Sequence, residues 1–269
     1  MYTMKYWKEL FKKQTILEWI MVGTFLFGMV FFSIFDIDKG LVASRNWTSG
    51  NPYAIIGQIL VLLASFTSAL VVMNRMHRMK QELPFLLVGA LLTGMGLLMI
   101  GYSGWNTGFT SSMGPGVVQI FVFGMSALSG LSKFKDHEED IIPAKKKVLS
   151  IELVIAITVA LLTIFPYYMI FDKLSAKGDG QRQHQIDWVQ WLGILGFSFS
   201  SAAIVVMVLF RWTWTFVFWT IANVIFVVYY ILMKVVQDVP LLSLAAISGL
   251  FTVIDFYILI RWIKDQKAQ

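Results

Sequence analysis

Cysteine is absent from the 269 residues, which removes a disulfide framework, thiol catalysis and any cysteine-held metal. Charge is scarce as well. Asp, Glu, Lys and Arg together make up 14% of the chain, where a soluble domain carries about 25%. So little charge cannot coat a soluble sphere of this size. Histidine occurs only as His77, His137 and His184, all in expected loops. There is no Walker loop, no HExxH and no GxSxG, so the chain shows neither ATP-hydrolysing machinery nor a catalytic constellation. It reads as a non-enzyme with no cofactor.

What the chain has is apolar sequence: 57% of residues are hydrophobic and the mean hydropathy is +0.70. The apolar residues fall in unbroken runs of about 18 to 24, enough to cross ~30 Å of hydrocarbon at 1.5 Å per residue. Continuous runs favour spanning helices over the alternating pattern of membrane strands. We read eight spans: Ile16–Phe35, Ile55–Met73, Phe85–Ser103, Gly116–Ser132, Val148–Phe171, Val189–Phe210, Trp212–Met233 and Leu241–Ile260. The first run opens with Glu18 and Trp19, and no small-residue cleavage motif follows it. It is therefore expected to remain as a span rather than to be cut as a leader. Phe85–Ser103 is rich in glycine (Gly89, Gly94, Gly96), which predicts close helix approach.

The net charge of +6 looks at first like a nucleic-acid signal, but its distribution is topological. Sixteen of the 22 Lys and Arg fall on the side of Met1, from Lys5 through Arg75, Arg78, the Lys133–Lys147 run and Arg211 to Lys267. The other six are Lys39, Arg45, Lys173, Lys177, Arg182 and Lys234. The positive-inside rule places both termini in the cytoplasm of a cell-membrane protein and leaves no need for a nucleic-acid partner. The charged run KFKDHEEDIIPAKKK (Lys133–Lys147) reads as a solvated linker. The basic, aromatic N-terminus reads as an interfacial lead-in.

Polar groups at membrane depth ask for a partner or a purpose. Asp255 lies two-thirds along the last span, where a carboxylate serves a proton or substrate site, or pairs with a base such as Arg211. Glu18 and Glu152 sit at helix starts, where a carboxylate suits the positive end of the helix. Asn223 is mid-span, with Trp219 one turn before it and Phe216 a further turn back, all on one face. Two aromatics beside an amide can hold a flat ring by stacking and a polar group by hydrogen bonds. They equally suit an interhelical amide in an aromatic seam. Gln119 and Gln58 pose the same question on other helices, and the cluster of Ser198, Ser200 and Ser201 signals close packing.

From about Tyr53 to Lys264 the spans group as three, one and three. FRWTWTFVFWTIANVIFVVYYI followed by FTVIDFYILIRWIK resembles the Pnu-type vitamin transporters, the PnuC nicotinamide riboside transporter family. Trp219 and Asn223 match its W-x-x-W-x-x-x-N pattern, with Phe216 in place of the first Trp. Gln119 matches a family Gln, Ser126 stands where an Asn is common, and Asp255 falls near a family Asn. The resemblance implies an all-α membrane fold like that of the SWEET sugar transporters, a 3+1+3 core preceded by one extra N-terminal helix. Its divisions here are 1–54 (lead-in, extra helix and exterior loop), 55–132 (first three-helix bundle), 133–171 (linker and linking helix) and 172–269 (second bundle and tail). It implies a substrate site of Trp219, Asn223, Phe216, Gln119 and Asp255 between the bundles. It further implies facilitated diffusion of an unphosphorylated vitamin or nucleoside that a cytoplasmic kinase traps, and a homotrimer. The altered motif leaves thiamine, riboflavin and deoxynucleosides open beside nicotinamide riboside. A proton-coupled carrier using Asp255 and a non-transporting scaffold or sensor are the remaining alternatives.

Overall fold

A computed structural model describes residues 4–37, 41–103, 113–136, 139–176, 188–237 and 241–268. Residues 104–112 of the loop expected over Gly104–Gly114 and residues 177–187 of the loop expected over Lys173–Asp187, with His184, lie outside these residues, as does His137. The described chain is helical apart from turns and one short hairpin. That hairpin pairs β1 (Phe35–Asp36) antiparallel with β2 (Val42–Ala43).

The short helices are α1 (Met4–Lys13) and α3 (Arg45–Thr48). α1 docks rather than floats: Leu10 is fully buried and Tyr6 Oη donates to Asn74 Oδ1 at 3.0 Å. The long helices begin with α2 (Ile16–Ile34), whose start is a capping box. The Glu18 amide donates to Thr15 Oγ1 at 3.3 Å, and Glu18 Oε2 accepts from the Thr15 amide at 2.8 Å. α4 (Pro52–Met76) opens with Asn51 as cap and Pro52 in its first turn, where a missing N–H costs nothing. α5 (Glu82–Ser103) follows. α6 (Met113–Val118), a π-helical stretch at Gln119–Gly124 and α7 (Met125–Lys133) run on as one span, Met113–Lys133. Then come α8 (Ser150–Ala176), α9 (Trp188–Val205) with a π-helical end at Val206–Phe210, α10 (Thr215–Gln237) and α11 (Leu242–Ala268).

Seven of these described spans are long and apolar enough to cross a membrane. The expected span over Val148–Phe171 falls on α8, whose apolar stretch, Ser150–Phe165, is shorter. The chain is thus an all-α, multi-pass membrane protein. Its surface is inverted relative to a soluble fold. Leu162, Phe165, Phe27 and Val253 are exposed, whereas Glu18, Glu82, Asn74 and Asp255 are buried. This is the arrangement expected where hydrocarbon is the solvent.

α4 packs along α5, and α5 along the Met113–Lys133 span; α10 packs on both α9 and α11, and α8 lies on α9. α2 touches both α4 and α11, so it closes the seam between the two groups. Glycines permit the closest crossings. A Cβ built at Gly57 would lie 2.6 Å from the Gly96 carbonyl oxygen, and one at Gly96 would lie 2.6 Å from that of Gly57. The expectation of close approach thus holds for α4 and α5.

Two expectations change. The second-last helix starts at Thr215, not Trp212, because Arg211 takes a left-handed conformation (φ 53°) and ends the preceding helix. The linker is also no simple solvated strand. Ile142 is 1% exposed, and its amide donates to the Arg78 carbonyl at 2.9 Å. The Lys145 amide donates to the Arg211 carbonyl at 2.8 Å, and the Thr213 amide returns to the Lys145 carbonyl at 3.1 Å. Burying Ile142 carries the charged run against the turns that follow α4 and α9, so it straps the two helix groups together at one end.

Candidate substrate cavity between the helix groups

A cavity of about 260 Å³ opens between the two groups, near the lower end of the roughly 300–1,000 Å³ usual for ligand sites. Trp219 and Asn223 enter it from α10, one turn apart. Gln119, at the start of the π-helical stretch, lines it from the other group. Phe123, one turn further along the Gln119 helix, meets Trp219 edge-on with centroids 6.0 Å apart. Tyr167 of α8 stacks on Phe197 of α9 at 4.6 Å, and both line the cavity. Ser200, from the serine cluster, reaches it too. Ser198 and Ser201 instead return hydrogen bonds to their own helix, at Ile194 and Phe197.

Phe216 and Asp255 are not part of this lining. Phe216 is fully buried below Trp219, edge-on to Trp262 at 4.9 Å. The face it shares with Trp219 and Asn223 thus continues past the end of the cavity. Asp255 sits behind Asn223, whose Nδ2 donates to Asp255 Oδ2 at 2.8 Å. Arg211 is not its partner: Arg211 Nη1 pairs instead with Glu82 Oε2 at 2.9 Å. Gln58 ties α4 to the end of α2 by donating to the Ser33 carbonyl at 2.6 Å. Ser126 is buried on α7 and does not line the cavity.

The expectations for the other carboxylates hold as structure. Glu18 is fully buried, forms an ion pair with Arg261 and accepts from Tyr257 Oη at 3.1 Å. Glu152 caps α8, accepting from the Leu149 amide at 2.9 Å and from Lys145 Nζ at 2.8 Å. Among the described residues, no cluster of three or more His, Asp or Glu stands ready for a metal ion.

Sequence reading missed Arg75. It was counted as an interfacial topology charge, but α4 runs three residues beyond the expected Met73. Arg75 therefore stays on the helix, on the same stripe as Ser68, Val71 and Val72, and lines the cavity with them. That spacing was the available signal. Its Nε donates to Glu82 Oε1 at 2.9 Å, so one buried carboxylate joins Arg75 to Arg211 across the groups. The Arg75 guanidinium carbon lies 5.4 Å from the Trp219 ring centroid. Trp262 Nε1 donates to the Arg75 carbonyl at 2.9 Å. Arg75 and Trp219 thus close the cavity at the end that bears both α1 and the last turns of α11, with Trp262 and Phe216 packed beyond them.

This membrane fold has a counterpart among solved structures. It is similar to that of the vitamin B3 transporter PnuC. The crystal structure of PnuC matches with a TM-score of 0.58 at 16% sequence identity, covering 97% of this chain and 97% of that one. The share left unmatched is smaller than α2 alone, so the likeness to PnuC is not confined to the region Tyr53–Lys264. No protein-family model and no curated protein sequence matches the chain.

Proposed function

We propose that this protein is a membrane transporter for a small, flat-ringed, water-soluble solute of the vitamin or nucleoside class. The observation that carries the reading is the cavity itself, with Trp219 and Asn223 on one wall and Gln119 on another, inside a membrane fold shared with PnuC. Trp219 supplies an aromatic edge or face to a ring. Asn223 donates one amide hydrogen to Asp255, which leaves its Oδ1 to accept from a ring N–H or a hydroxyl and its second amide hydrogen to donate. In this reading residues 55–132 and 172–269 are the two bundles, and transport opens the cavity alternately to either side as they rock about it.

Movement is downhill. The sequence carries no Walker loop, and Asp255 is held by Asn223. Net uptake then depends on a cytoplasmic kinase that phosphorylates the arriving solute. The test uses purified protein in proteoliposomes loaded with labelled vitamins and nucleosides. The expected result is saturable equilibration of one ring compound to equal concentrations on both sides, lost in Trp219→Ala. Absence of saturable, Trp219-dependent flux for every compound would favour a non-transporting role.

A further inference from the structure

The described lining of the cavity holds a single formally charged side chain, Arg75, and no acidic one. Glu82 binds Arg75 and is shared with Arg211, Asp255 is bonded to Asn223, and neither carboxylate is among the lining residues. Counted together, the two arginines balance the two carboxylates, but only a positive group is presented to a solute.

Arg75 is also incompletely used. Its side chain is 6% exposed and its Nε is committed to Glu82, yet Nη2 has no hydrogen-bond partner among the described residues. A buried N–H without an acceptor costs free energy that an incoming acceptor recovers, and a charged donor makes the stronger bond. Because the guanidinium carbon lies 5.4 Å from the Trp219 centroid, an oxygen on the edge of a ring held at Trp219 comes beside it. A cationic ring in the same place meets a fixed positive charge in a water-poor site, where repulsion is weakly screened.

We propose that Arg75 sets the specificity of this cavity: it admits neutral or anionic ring solutes that carry a carbonyl or carboxylate oxygen, and discriminates against cationic rings. This deepens the transporter reading and rests on it.

The test is a matched ring series titrated into purified protein at pH 7.5: nicotinate, nicotinamide, 3-methylpyridine and the cation 1-methylnicotinamide. The parent binds the first two at least about 10-fold more tightly than 3-methylpyridine and the cation, as one charged hydrogen bond requires. In Arg75→Met the four affinities converge to within about threefold. That variant leaves Glu82 paired with Arg211; should it still fail to fold, the ranking in the parent decides alone. Trp219-dependent binding with no preference for the oxygen-bearing rings, or tighter binding of the cation, overturns the role of Arg75 and leaves the cavity as the substrate site. An acceptor preference that survives in Arg75→Met overturns it equally. No Trp219-dependent binding by any member overturns the reading of the cavity, and this inference with it.

Discussion

Asn223 and Asp255 are joined by a 2.8 Å hydrogen bond from amide to carboxylate, linking α10 to α11 beside the cavity. The bond orients the amide, since it fixes which side of the group carries Nδ2 and which carries the acceptor Oδ1. An amide at position 255 still offers an acceptor oxygen, whereas alanine offers none. Asp255→Asn is therefore expected to fold and to keep downhill flux in proteoliposomes, with or without an imposed pH gradient. Asp255→Ala should lose on the order of 1–3 kcal/mol of stability in thermal unfolding, the cost of an unpaired buried amide. Concentrative uptake driven by a proton gradient and abolished in Asp255→Asn would identify a proton-coupled carrier instead.

Glu82 is the shared partner of Arg75 and Arg211, each at 2.9 Å. Removing it leaves two buried guanidinium groups without their anion. Glu82→Ala is expected to cost about 3–5 kcal/mol, the usual penalty for breaking one side of a buried ion pair. Arg211→Met should cost less, because Glu82 keeps Arg75 and no cation is stranded. Chemical or thermal unfolding in a single detergent compares them, and equal losses for the two variants would contradict this ordering.

His77 caps the end of α4 and is 9% exposed. Arg261 Nη2 faces its Nδ1 at 3.1 Å, and because a guanidinium only donates, that nitrogen must be the acceptor of a neutral ring. Burial, reinforced by the charge of Lys13 and opposed by Asp265, lowers the His77 pKa from 6.5 to about 4. A depressed folded-state value means that its contribution is complete above pH 6.5 and is lost as pH falls from 6.5 to about 4, because only the unfolded chain takes up the proton there. His77→Gln should match the parent at pH 7.5 and be less acid-sensitive between pH 6.5 and 4. Parallel stability curves across that window would refute the assignment.

The absence of native cysteine makes topology directly measurable. With single cysteines at Ser49 and Lys267, both exposed, an impermeant thiol reagent added to intact cells should label Ser49→Cys and spare Lys267→Cys until the membrane is opened. The reverse pattern would invert the orientation drawn from the basic residues.

The membrane class, the helical content and most helix positions followed from sequence alone, because hydrocarbon imposes its demands locally. A run of apolar residues either spans or does not, and it shows this without knowing its neighbours. The choice of Trp219, Asn223 and Gln119 as residues that meet rested on a shared helix face and a family motif, and they do line one cavity. What sequence could not decide was pairing between distant elements. Arg211 was open to Asp255 on paper, yet its partner is Glu82, 129 positions away. Phe216 shares the face of Trp219 but points below the cavity, because a face continues along a helix while a cavity ends where another helix closes it. Arg75 looked like a boundary charge until α4 proved three residues longer and turned it inward. The periodicity of one helix tells which residues lie together along it; only the crossing of several helices fixes which of them face one another and which charge is left to meet a solute.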